Sequence, residues 1–176
     1  TSGGSGAVEM ATEAAYLDGA AAFNRIRIRI DVANPGTYTV TYPYGEKTFN
    51  VTSGGTRAIN FTDDIGCGAP PCGDFAASTA GEIENFLTWD TFGTTGPGAP
   101  PAGYIGDLVT PHTVIGSTIP DATDPTGFRN NVKIEGPGIA PDGGNVVQTR
   151  LFTVEGKIFG VTAFANPKGA TFKQDL

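Results

Sequence analysis

The chain has 176 residues and a formal net charge of −7, from 11 basic and 18 acidic side chains. The acidic balance argues against general nucleic-acid binding, which needs a basic face. No apolar run approaches the roughly 18 residues of a membrane span, and 26 Gly with 13 Pro are too many for a helical bundle. The length suits one domain, or at most two small ones, able to bury about 70% of its unfolded surface without a metal or disulfide.

Residues 1–6, TSGGSG, read as a flexible leader. Residues 7–16, AVEMATEAAY, admit two readings. Ala and Glu favour a helix, yet Val8, Met10, Thr12, Ala14 and Tyr16 alternate with Ala7, Glu9, Ala11, Glu13 and Ala15 as a strand would. Residues 23–32, FNRIRIRIDV, alternate strictly, with Ile26, Ile28 and Ile30 towards a core and Arg25, Arg27 and Arg29 away from it. An antiparallel hairpin across a turn at 17–22 places Met10 against Ile28 and Val8 against Ile30 on one face. Glu13 then meets Arg25 and Glu9 meets Arg29 on the other, and Arg27 faces Ala11. The arginine row is therefore expected to be a charge ladder that sets register, not a nucleic-acid site. Exposed pairs of this kind contribute only about 0.2–1 kcal/mol each.

Pro35-Gly36 is a turn, and Tyr38, Val40 and Tyr42 alternate with threonines. Pro43-Tyr44-Gly45 turns the chain into Thr48-Phe49-Asn50-Val51, which makes a hairpin. RAINFT, residues 57–62, is a further strand. Residues 63–107 read as a long loop-rich excursion, with a helical turn at 82–87 and a Gly/Pro-rich run at 93–107. Strand texture returns at 112–115, at 130–137 and twice within 146–164, where Glu155-Gly156 separates two strands. Residues 165–176 form a polar tail. Seven to ten short strands with one long excursion predict a single all-β domain over 1–176, a β-sandwich of immunoglobulin-like or jelly-roll-like type, with a barrel as second choice.

Chemistry is sparse. Cys67 and Cys72, in CGAPPC, are spaced for a structural disulfide closing a small loop, which places the protein in an oxidising compartment; two free thiols in a reducing one is the alternative. A Ser-His-Asp triad would need His112, the single histidine, which reads as an ordinary strand-edge residue. Asp63 with Asp64, Glu82 with Glu84, and Asp90 are the carboxylate pairs that glycoside hydrolysis would require. Trp89 beside Asp90 would suit a sugar platform, although a core Trp is the plainer reading. Asp121, Asp124, Asp142 and Asn145 could supply oxygens to calcium, but they sit in turn sequences where Asp and Asn accept local backbone hydrogen bonds. No cofactor motif is present, and no catalytic, cofactor or metal residue is assigned.

The run from Phe23 to Gly66, FNRIRIRIDVANPGTYTVTYPYGEKTFNVTSGGTRAINFTDDIG, resembles a recurring segment of uncharacterised secreted bacterial proteins. WDTF, GYIGD, PHTVIGS, KIEGPG and QTRLFTVEGK are similar in the same order, so the resemblance covers about residues 7–158. PGTYTVT also resembles immunoglobulin-like and PKD-like modules of surface proteins. The resemblance implies secretion, or display at the cell surface, and a β-rich fold. It implies no catalytic residue.

Two functions are expected from these features. One is a non-enzymatic extracellular structural protein, a subunit of a surface assembly or filament that self-associates by strand addition. Its contact strand would be residues 7–16 (Val8, Met10, Thr12, Ala14, Tyr16), which lack the Lys and Pro that normally blunt an edge, and which could pair with residues 23–32 of a neighbour. The other is a carbohydrate- or surface-binding module using Trp89 and Tyr104.

Overall fold

The computed structural model describes residues 4–16, 20–66, 75–91 and 98–158, with the backbone alone at 13–16, 20–21 and 75. The fold is all-β. Residues 7–16 are strand, not helix: β1 (Ser5–Tyr16) pairs antiparallel with β2 (Ala20–Val32). Both faces match as the alternation predicts, but the register differs by two residues. Met10 faces Ile26, Val8 faces Ile28, and Glu9 faces Arg27. The cause is the turn. β2 starts at Ala20, so the strands close over a shorter connection than residues 17–22. A two-residue shift keeps every side chain on its face and changes only its partner. Residues 1–6 are also not wholly a leader. Ser5 and Gly6 belong to β1, and the Ser5 hydroxyl donates to Asp31 at 3.2 Å.

On its other side β2 pairs with β5 (Gly55–Gly66). This strand runs four residues beyond the expected boundary, so the excursion begins after Gly66 and not at Asp63. Apolar alternation cannot reveal this, because Asp64 is held by charge: Arg25 donates to both of its carboxylate oxygens, at 2.6 and 2.7 Å. The Arg25 guanidinium keeps the Asp64 carboxyl below the usual carboxylate range. Near the other end of the pairing the register shifts between Ile30 and Val32. There Arg57 adopts a left-handed conformation (φ 49°), and the Asp31 carboxylate accepts its backbone N–H at 2.7 Å. Asp31 thus caps a donor that the bulge frees.

The second sheet contains β3 (Gly36–Tyr42), β4 (Gly45–Val51), β8 (Val132–Glu135) and β9 (Val146–Thr149), in the order β4-β3-β8-β9. Its inner face meets the isoleucine face of β2. Ile26, Ile28, Ile30 and Ile59 form one buried cluster with Tyr38, Val40, Tyr42, Val51 and Val132, so two sheets share one core, as in a sandwich. Tyr38 is fully buried because its hydroxyl finds the Asn34 and Pro137 carbonyls at 2.8 and 2.9 Å.

A third, small sheet caps this core: β6 (Thr88–Trp89), β7 (His112–Ile115) and β10 (Leu151–Phe152), in the order β10-β7-β6. The helical turn lies at Phe75–Ala80 and not at 82–87. Residues 82–87 are instead fastened to the β3–β4 hairpin. Glu82 accepts from the Tyr42 hydroxyl and from Lys47, and the Tyr44 hydroxyl donates to the Asn85 carbonyl. Burial, followed by the Glu82 carboxylate, pushes the Tyr42 phenol far above the ordinary tyrosine range. Of the two strands expected within 146–164, the first is β9 and β10, separated at Arg150; most of the second lies outside the described residues. Among the described residues no helix is long and apolar enough to cross a membrane.

Candidate functional site: an open groove between two strand edges

The outer strands of the two main sheets are β1 and β5 in one and β4 and β9 in the other. β4 and β5 are joined in the chain by a short connection and carry charges along their length: Glu46 and Lys47 on β4, and Arg57, Asp63 and Asp64 on β5. On the opposite side stand β1 and β9. Among the described residues each of them pairs along one edge only. Between them lies a groove of about 920 Å³.

The residues around this groove explain why it is open. Its inner surface includes Ile30, Val132 and Ile139, which belong to the shared core. Val8 and Met10 of β1 stand at one wall and Ile134 at the other. Four apolar residues of the lining stay substantially exposed: Val147 37%, Leu151 46%, Phe86 47% and Leu108 59%. Neither edge is blunted. β9 reads VVQT without charge or proline, and between Ser5 and Thr12 the one charged residue of β1, Glu9, turns to the opposite face to meet Arg27 at 3.1 Å.

Among the described residues, Glu9, whose carboxylate is paired with Arg27, and Glu155 are the only acidic residues along the groove, and no His, Cys, Lys or Arg lines it. The Tyr44 phenol, pushed well above its ordinary range by burial, is engaged by the Asn85 carbonyl. The described lining therefore offers apolar surface and unpaired backbone edges, which suit an extended peptide segment.

The expected contact strand is at this site. Val8, Met10 and Thr12 line the groove; Ala14 and Tyr16 continue β1 opposite Ala22 and Ala20. In this structure β1 is paired with its own β2 along its whole length, and its other edge faces the groove.

The charge ladder lies on the other face of the same sheet. Arg25 is held by Asp64 and Arg27 by Glu9, while Arg29, opposite Ala7 and Asn60, has no acid partner among the described residues. Glu13 faces Phe23, not Arg25.

Trp89 is 3% exposed and its ring is stacked on His112, centroids 4.5 Å apart, so it offers no face to a sugar. Gly106 lets it pack, since a side chain there would meet the indole nitrogen at 2.7 Å. Tyr104 remains 41% exposed, beside the bridge it makes with Lys157. His112 opens β7, at the strand start where the sequence places it, but β7 is the central strand of its sheet and the imidazole is fully buried. Its Nδ1 lies 2.7 Å from the Thr113 carbonyl, which can only accept. Nδ1 therefore carries the proton, and a backbone oxygen holds the orienting position that an Asp takes in a triad.

The carboxylate candidates also serve structure. Asp63 and Asp64 are neighbours on a strand and point to opposite faces, while Glu82 is held by Tyr42 and Lys47. Asp121 and Asp124 are turn residues that accept from Thr123 and Thr126, and Asp142 and Asn145 accept from the Gly144 and Gly138 amides. Cys67 and Cys72 lie outside the described residues. Sequence reasoning misses Arg150. Its guanidinium, between β9 and β10, spans to both oxygens of the buried Asp124, at 3.2 and 3.3 Å. Comparison with protein-family models, curated proteins and solved structures finds no match to this chain.

Proposed function

We propose that this protein is a non-enzymatic structural subunit, acting outside the cell, that self-associates by taking an extended segment into the groove between β1 and β9. The observation that carries the reading is the pairing of two unblunted strand edges with an apolar cleft. Such edges are ordinarily charged, shortened or covered; β9 carries no charge, and the Glu9 carboxylate of β1 is paired with Arg27. Strand addition would supply backbone hydrogen bonds along an edge, and alternate side chains would enter the cleft. The extracellular placement rests on the acidic composition and on the resemblance to secreted bacterial proteins. A sugar-binding reading loses its main support with the burial of Trp89.

The test is sedimentation velocity across a wide concentration range. The wild-type chain is expected to associate. Val147→Lys with Leu151→Lys is expected to stay monomeric with its thermal midpoint little changed, because both side chains are already largely exposed. A wild-type chain that is monomeric at every concentration, or a double variant that associates as well as wild type, overturns the reading.

A further inference from the structure

We infer that the segment taken into this groove is residues 158–165 of a second copy of the chain, added as a strand along β1 or β9; the inference rests on the strand-addition reading above. Three observations lead there. The first is where the chain goes. After β10 it runs along the rim of the groove at Thr153, Val154 and Glu155, antiparallel to residues 103–107, with the Ile105 amide donating to the Gly156 carbonyl at 2.9 Å. It then leaves. Ile158 is 56% exposed, lies outside the groove lining and donates its amide to Gly103 at 2.8 Å.

The second is the amino-acid pattern from Ile158 onward. Residues 158–165 read IFGVTAFA, without charge, and Phe159, Val161 and Ala163 alternate with Gly160, Thr162 and Phe164. A short uncharged apolar run of this kind, bounded by Lys157 and by Asn166-Pro167, suits a strand covered on both faces. At about 3.3 Å per residue such a segment is roughly 26 Å long, close to the roughly 30 Å of β1 edge that lines the groove from Gly4 to Thr12.

The third is direction. The segment contains no Pro, Asn or Asp, and the first strong turn signal beyond it is Asn166-Pro167. Because the described chain is already outside its own groove lining at Ile158, the groove that this segment fills is a neighbour's. Donor and acceptor are different surfaces of one chain, so the contact is head-to-tail. It builds an open chain of subunits unless the rotation between them closes a ring.

Two variants test this, each in the full 176-residue chain. Phe159→Asp with Val161→Asp disables the donor, and Val147→Lys with Leu151→Lys disables the acceptor groove. Each alone is expected to sediment as a monomer. Mixed, the two are expected to form a one-to-one heterodimer and nothing larger, because one intact donor then meets one intact groove. If the donor variant assembles like wild type while the groove variant does not, another segment fills the groove: this inference fails and the strand-addition reading stands. If both variants assemble, that reading fails as well. A wild type that is monomeric at every concentration overturns both; a thermal midpoint that then falls when residues 159–176 are removed means that the segment fills its own groove.

Discussion

Asp124→Ala is expected to lower stability at neutral pH by about 2–4 kcal/mol, measured by urea denaturation. Breaking a buried ion pair from one side costs about 3–5 kcal/mol; the figure is reduced here because Arg150 retains 29% exposure and can recover some solvation. The substitution strands several donors at once. Arg150 loses a two-pronged partner, the buried Asn131 loses the acceptor 3.2 Å from its amide nitrogen, and the Thr126 amide loses its cap at 3.0 Å. The same cluster predicts acid sensitivity. Burial raises the Asp124 carboxyl, but Thr126, Asn131 and Arg150 together hold it below its ordinary value of 3.8. A depressed folded-state value means the stabilisation is complete above about pH 4 and is lost as the pH falls through that lower value. Asp64 and Asp121 shift in the same direction. Wild type is therefore expected to lose stability below pH 4 more steeply than Asp124→Ala does. Equal slopes would mean that Asp124 is not held ionised by the fold.

Ile28→Ala is expected to cost about 3–4 kcal/mol, whereas Arg27→Ala, one residue earlier, costs about 1 kcal/mol or less. Ile28 has no exposed surface and touches the centre of the shared core, so its removal leaves a cavity that two paired sheets cannot collapse. Arg27 is partly exposed, its one acid partner Glu9 is more so, and its Nε is already buried without an acceptor. Its removal therefore gives up one weak pair and relieves one unsatisfied donor. Urea denaturation of both variants checks the contrast; comparable losses would mean that the charge ladder, and not the isoleucine face, holds the sheet.

That contrast was legible in the sequence, because strict alternation fixes which face each residue of β2 takes. The exact partners were not. Register within a hairpin depends on where the turn closes, and Met10 against Ile26 or Ile28 satisfies the same pattern. The end of β5 was hidden for a related reason: Asp63-Asp64-Ile65-Gly66 looks like a loop until Arg25 is placed beside Asp64. The Asp124–Arg150 pair joins residues far apart in the chain, and no local spacing announces it. The groove is the least legible feature of all. The sequence showed that residues 7–16 lack edge-blunting residues, but it could not show that β9 would be the matching edge of the other sheet. Only the assembled core brings the two edges to one side.

The strand-addition account is tested most directly by amide hydrogen exchange of the wild-type chain at low and at high concentration. Alternate amides of residues 5–12 or of residues 146–149 are expected to exchange more slowly at high concentration, as an added strand covers the open edge of β1 or β9, while those of β4, the outer strand away from the groove, keep the same rates. Exchange at both groove edges that does not depend on concentration, or slowing confined to β4 and β5, would contradict it.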